Sequence, residues 1–201
     1  MRRVPARAGR ARASPNGTQG GRSNYKNPPP EPDDHALGRS RGGWTTKAHV
    51  AVDGKGRPLS ILLTGGQCAD TVHLEPVLDA IAVPRADGRG TRQHPEQLLG
   101  DKGYSSKANR ALLRRRGIIT TIPERDDQLQ HRKNRGSHGG RPYRFDRAAY
   151  KGRNVVERCF NRLKQWRGLA TRYDKYARNY RAGLVLASIF LWTRREPSDT
   201  P

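Results

Sequence analysis

The chain has 201 residues, with 40 Lys and Arg against 18 Asp and Glu, and a formal net charge of +22. That length suffices for one domain with its own core, and that charge calls for a polyanionic partner, DNA or RNA ahead of a membrane surface. The apolar run 184–192 is far too short to span a bilayer, no apolar stretch of a secretory signal follows the basic N-terminus, and the distant Cys68 and Cys159 suggest neither a disulfide framework nor a zinc knuckle. A reducing, cytoplasmic setting is the simple expectation.

Residues 1–34 are rich in Arg, Gly, Pro, Ser and Asn and nearly free of large aliphatics. Such a segment cannot bury enough surface to offset its ordering entropy, so a disordered basic tail is predicted. Residues 35–195 form the predicted domain, and 196–201 a second disordered end. "WTTKAHVAVD" sets Ala48, Val50 and Val52 against Lys47, His49 and Asp53, the period of a strand. "GKGRP" then turns the chain and "LSILLTGG" returns it, so 44–64 reads as a hairpin. Val72, Leu74, Val77, Leu78 and Ile81 follow at helical spacing, with Asp70 or Thr71 as cap. "QLLGD" is a short buried strand ending at Asp101. "SSKANRALLRRRG" is a helix capped by Ser105 or Ser106 and stopped by Gly117, and "IITTIP" is another strand. Residues 124–149 read as polar and irregular, with "RGSHGGRP" as a mobile loop, and two helices, 151–167 and 177–194, close the chain. Strands alternating with helices predict a layered α/β domain.

The first closing helix carries an unusual pattern. At ~100° per residue, with Arg153 as zero, Tyr150 falls at about 60°, Glu157 at about 40° and Lys164 at about 20°. Val155, Val156, Cys159, Phe160, Leu163 and Trp166 occupy a separate arc. By geometry alone this stripe is either a solvated, ion-paired face or one wall of a site. A second carboxylate facing it decides, and Asp101 is the candidate, because ligands gather at the carboxyl ends of strands in open α/β sheets. The plainer reading is that Asp101 shapes its turn through the local backbone. Histidines 35, 49, 73, 94, 131 and 138 form no metal-ligand spacing, and His49 reads as structural or solvent-facing.

Taken together, these residues resemble the DDE transposases of bacterial insertion sequences, in the IS5 branch of the IS4-like group. The resemblance rests on Tyr150, Arg153, Glu157 and Lys164, which match a Tyr-x2-Arg-x3-Glu-x6-Lys signature without a gap. It is carried further by "DHALGRSRGGWTTKAHVAVDGKGRPL", "TGGQCADT", "LLGDKGYSS", "IPER" and "NVVERCFNRLKQWRGLATRYDK". It implies a ribonuclease H-like mixed sheet with three acids around two Mg2+ ions. Asp101 would be the second acid and Glu157 the third, both catalytic and both metal ligands. Tyr150, Arg153 and Lys164 would contact transposon-end double-stranded DNA. Mg2+ prefers hard oxygen ligands, and two such ions suit in-line displacement at phosphorus. The resemblance also implies DNA transposition by strand cleavage and transfer, a homodimer in the intact family member, and a bacterial, nucleoid-associated protein.

The family's first acid, on the first sheet strand, precedes the "GRSRGG" segment, and neither it nor its strand is found in this chain. An Arg/Gly/Pro/Ala-rich stretch, of a composition that a GC-rich gene read in the wrong frame would give, stands there instead. The expectation is therefore a C-terminal catalytic-domain part, truncated or frameshifted at its N-terminus, whose hairpin is exposed along one edge and which does not cleave DNA alone. Glu31, Asp33 and Asp34 are the only upstream acids. Rival readings are a non-enzymatic basic nucleic-acid-binding protein and a nuclease of ribonuclease H-like fold.

Overall fold

The structure, a computed structural model, describes residues 34–193. The tail expected at 1–34, save Asp34, and the end expected at 196–201 lie outside these residues. A short strand β1 (Gly38–Ser40) leads into the expected hairpin, β2 (Gly43–Val52) and β3 (Pro58–Gly65), and the three form an antiparallel sheet in the order β1-β2-β3. The hairpin register shifts between Ala51 and Val52. The extra residue there, Leu59, packs against the core under the sheet.

The helix predicted near 70–81 is shorter and opens differently. A 3-10 turn, Asp70–His73, precedes α1 (Leu74–Asp79), and no side chain caps either one. Asp70 is drawn away, its carboxylate 2.9 Å from Lys47 Nζ on the hairpin. Pro76 is tolerated because the first turn of a helix has no partner for its missing N–H. A two-stranded ribbon follows, β4 (Val83–Pro84) with β5 (Thr91–Arg92). Strand β6 (Gln97–Leu99) then pairs in parallel with β7 (Ile119–Thr121) across helix α2 (Lys107–Arg115). Ser106 accepts from the Asn109 N–H as the N-cap, and Gly117, at φ +67°, ends the helix in a conformation that favours glycine.

The polar stretch 124–149 is more regular than expected. It holds α3 (Asp126–Asn134) and α4 (Arg147–Tyr150). Helix α3 buries no residue, so it shows no apolar period. Asp126 and Asp127 in its first turn and His131, Arg132 and Lys133 in its last match the helix dipole, and Gln128 ties it to Ser105 by donating to the Ser105 carbonyl and accepting from its hydroxyl. The remaining helices are α5 (Asn154–Lys164), α6 (Arg167–Thr171) and α7 (Ala177–Thr193).

Two apolar clusters hold these layers. Leu74, Leu78, Ile81, Leu113, Ile118 and Ile122 join α1, α2 and β7 on one side of the hairpin. Ile61, Cys159, Leu163, Leu184 and Ala187 join β3, α5 and α7 on the other. Leu163 faces inward as its position on the helix requires, but Trp166 is half exposed and stacks on Phe190 at 5.2 Å. The result is a mixed α/β arrangement with helices on both faces of small sheets.

The sheets do not join. Among the described residues, Thr46–Val52 pairs only with β3, and β6 pairs only with β7. Between them lies a cavity of about 290 Å³, lined by Val50 and Val52 of β2, Leu98 of β6, Leu78 of α1 and Val155 of α5. Two strands thus border an apolar slot with a helix on either side. Unpaired strand edges carry free N–H and C=O groups along their length.

Candidate active site

Asp101 lies two residues past the end of β6, after Gly100, and is exposed. Its Oδ1 accepts from the Lys102 N–H at 2.7 Å, so it does shape the turn that follows, and Oδ2 makes no hydrogen bond among the described residues. Chain polarity brings it there, since β6 must end where the parallel pair ends and Gly100 donates to Thr121 O at 3.2 Å.

The Tyr150-to-Lys164 stripe is not one uniform helix. Tyr150 ends α4, Lys151–Arg153 tighten into a 3-10 turn, and Glu157 and Lys164 belong to α5. Gly152 explains the tight passage, because a Cβ there would stand 3.2 Å from Leu99 Cδ1. That close approach sets the turn against β6, and Gly152 and Arg153 both line the slot. Arg153 Nη2 donates to Glu157 Oε1 at 2.6 Å, and its guanidinium lies 5.6 Å from the Tyr150 ring centre.

Electrostatics link the two carboxylates. Burial raises the Tyr150 phenol above its usual range against the opposing pull of Arg153, and Asp101 and Glu157 both add to the rise. For Arg153, partial burial is the largest single influence and lowers its affinity for the proton. Tyr150, Glu157 and Asp101 together outweigh it, and the net shift is upward. Asp101 and Glu157, from different elements, therefore act on the same tyrosine and the same arginine. Lys164 stands apart. It is exposed, with no hydrogen bond or ion pair among the described residues, and eleven residues of helix place it about 16 Å along the axis from Arg153.

Comparison with known proteins decides what these residues belong to. The model of the transposase DDE domain matches residues 22–192. The chain belongs to the transposase DDE domain family. A protein of Burkholderia cepacia named as a transposase for insertion sequence element IS402 is 33% identical over 171 residues, covering 85% of this chain and 71% of that protein. A protein of Brucella ovis named as a transposase for insertion sequence element IS6501 is 27% identical over 150 residues, covering 75% of this chain and 99% of that protein. No solved structure matches.

In this DDE domain, no three of His, Cys, Asp and Glu stand close enough to hold a metal ion among the described residues. Asp34, the one upstream acid described, lies at the start of α7, where its carbonyl accepts from the Ala177 N–H at 3.1 Å. His49 is buried, its ring hydrogen-bonded to Tyr104 at 3.2 Å and Thr64 at 3.0 Å, which fits the structural role expected of it. Two contributors were missed in the sequence. Gly152 carried no motif signal beyond being a glycine inside a helical pattern. Both strands that border the slot were read from the sequence, but their separation across it was not, since pairing partners are not encoded by local periodicity. No helix among the described residues is long and apolar enough to cross a membrane.

Proposed function

We propose that this chain is the C-terminal catalytic part of an insertion-sequence transposase of the IS5 branch. In this reading Asp101 and Glu157 are two of three metal-binding, catalytic acids, and Tyr150, Arg153 and Lys164 hold double-stranded transposon-end DNA. The observation that carries it is the match of residues 22–192 to the transposase DDE domain, together with the Tyr150–Arg153–Glu157 cluster in which Arg153 donates to Glu157 at 2.6 Å. The hard, exposed oxygens of Asp101 and Glu157 suit Mg2+, although a third carboxylate is absent from the group among the described residues. When bound, Mg2+ would supply electrophilic activation at phosphorus. The chain's own residues do the rest. Arg153 is oriented by Glu157 and Tyr150 to donate to a phosphate oxygen beside the carboxylates. Lys164, some 16 Å further along α5, engages the same strand roughly five nucleotides away at ~3.4 Å per nucleotide.

The apolar slot supports a ribonuclease H-like sheet over 35–195 whose first, central strand, with its acid, is not among the described residues. Each bordering strand would gain a pairing partner if that strand were present. We hold the chain to be inactive in cleavage by itself while binding DNA, in a bacterial cytoplasm near the nucleoid, with a homodimer as the family's state. The net charge of +22 supports a second reading, DNA binding without chemistry. Cleavage separates the two. Placing an apolar, aspartate-bearing strand in frame before residue 34 should give Mg2+-dependent cleavage of transposon-end DNA, abolished by Asp101→Ala or Glu157→Ala. Cleavage by the unaltered chain that depends on Asp101 would overturn the claim of inactivity. Strand joining, as distinct from hydrolysis alone, separates a transposase from a nuclease.

A further inference from the structure

A second pocket, sharing no lining residue with the slot, opens between α2, α3 and the loop 139–143, with a volume of about 400 Å³. Five cationic side chains line it, Lys107, Arg110, Arg132, Arg135 and Arg141, against a single carboxylate, Glu124. Glu124 is taken up by Arg132 in a short, largely buried ion pair. Lys107, Arg135 and Arg141 are exposed and make no ion pair among the described residues.

The pocket is built, not a chance run of surface charge. Arg110, only 7% exposed, forms its floor and donates through Nη2 to Ser105 Oγ at 3.0 Å and Ile122 O at 2.8 Å. The Tyr143 ring covers its guanidinium at 4.1 Å, which takes up that ring face. The wall is held close by glycine, since a Cβ on Gly139 would meet the Arg132 carbonyl oxygen at 2.3 Å. The nine-residue helix α2 begins at the same pocket, with Ser106 and Lys107 on its lining, so its N-terminal dipole adds to the positive field.

We infer that this pocket binds a backbone phosphate of duplex DNA away from the Asp101–Glu157 site, as an anchor for the strand that site acts on. Clustered guanidinium and ammonium groups select a phosphate over a base. The DNA source rests on the transposase reading, and the phosphate chemistry does not. The test uses the full chain without divalent metal, so it is independent of cleavage. Titrate a labelled duplex of arbitrary sequence by fluorescence anisotropy across several salt concentrations. Compare Lys107→Ala/Arg135→Ala/Arg141→Ala with Arg85→Ala/Arg89→Ala/Lys175→Ala, which removes the same charge from exposed sites elsewhere. The pocket variant should lose roughly tenfold or more in affinity, and its plot of log K against log salt should flatten by about 0.9 for each phosphate released. The control should lose less than roughly threefold with little change in slope. Equal losses in both variants would reduce the pocket to diffuse charge and overturn the proposal. Thermal melts with inorganic phosphate at matched ionic strength distinguish the source. Stabilisation abolished in the pocket variant while its DNA affinity is unchanged would assign the pocket to a free anion and overturn the DNA anchor. Matching melting curves without ligand establish that the variants fold.

Discussion

Replacing Glu157 by Gln separates a surface ion pair from a metal ligand. Its carboxylate is 2.6 Å from Arg153 Nη2, with side-chain exposures of 55% and 27%. Pairs so exposed contribute about 0.2–1 kcal/mol. Glu157→Gln should therefore cost at most about 1 kcal/mol, or roughly 2–4 °C in Tm for a domain of this size. Metal binding predicts a different response. A folded state that holds a divalent ion gains RT ln(1 + [L]/Kd), about 1.4 kcal/mol when free Mg2+ is tenfold above its Kd. The wild-type chain should then rise by roughly 3–6 °C, and by a similar step for each further tenfold in metal. Asp101→Asn and Glu157→Gln should each remove most of that rise, although neither does more than slight harm to the metal-free protein. The assay is a set of thermal melts over a Mg2+ or Mn2+ series at constant ionic strength. A metal response retained in both variants, or a loss of several kcal/mol without metal, would show that the convergence on Arg153 is structural.

Three further outcomes are expected. Burial first, then His73 and Lys47, hold the His49 imidazole below its ordinary range against the pull of Asp70. The unfolded chain therefore binds more protons below pH ~6.5, and stability should fall there by up to ~1.4 kcal/mol per pH unit until folded His49 itself protonates. His49→Gln should flatten that fall in melts taken from pH 7.5 to 5.5, and an unchanged profile would assign it to other groups. Leu113, fully buried among Leu74, Leu78, Ile81, Ile118 and Ile122, should cost about 2.7–5 kcal/mol as Leu113→Ala, measured by urea unfolding. Gly152→Val should push the 3-10 turn, and Arg153 with it, off Leu99, weakening DNA binding more than Gly152→Ala does, as read by anisotropy.

How much of this was legible in the sequence follows from the range of the interactions involved. The hairpin, α2 with its Ser106 cap and Gly117 stop, and the buried side of α5 were readable because alternation, helical spacing and capping act between residues a few positions apart. The Tyr150-Arg153-Glu157-Lys164 spacing was likewise visible, and with it the resemblance to DDE transposases. Helix α3 was not, because it buries nothing and leaves no apolar period. Asp70 left its expected cap for Lys47, a partner 23 positions away that local pattern could not supply. Only the tertiary structure decided that the turn at Gly152 packs on Leu99 of β6 and that β2 and β6 border an open slot. Those facts depend on how separate elements pack, and packing is settled by burial and pairing between segments far apart in the chain, which no single stretch of sequence records.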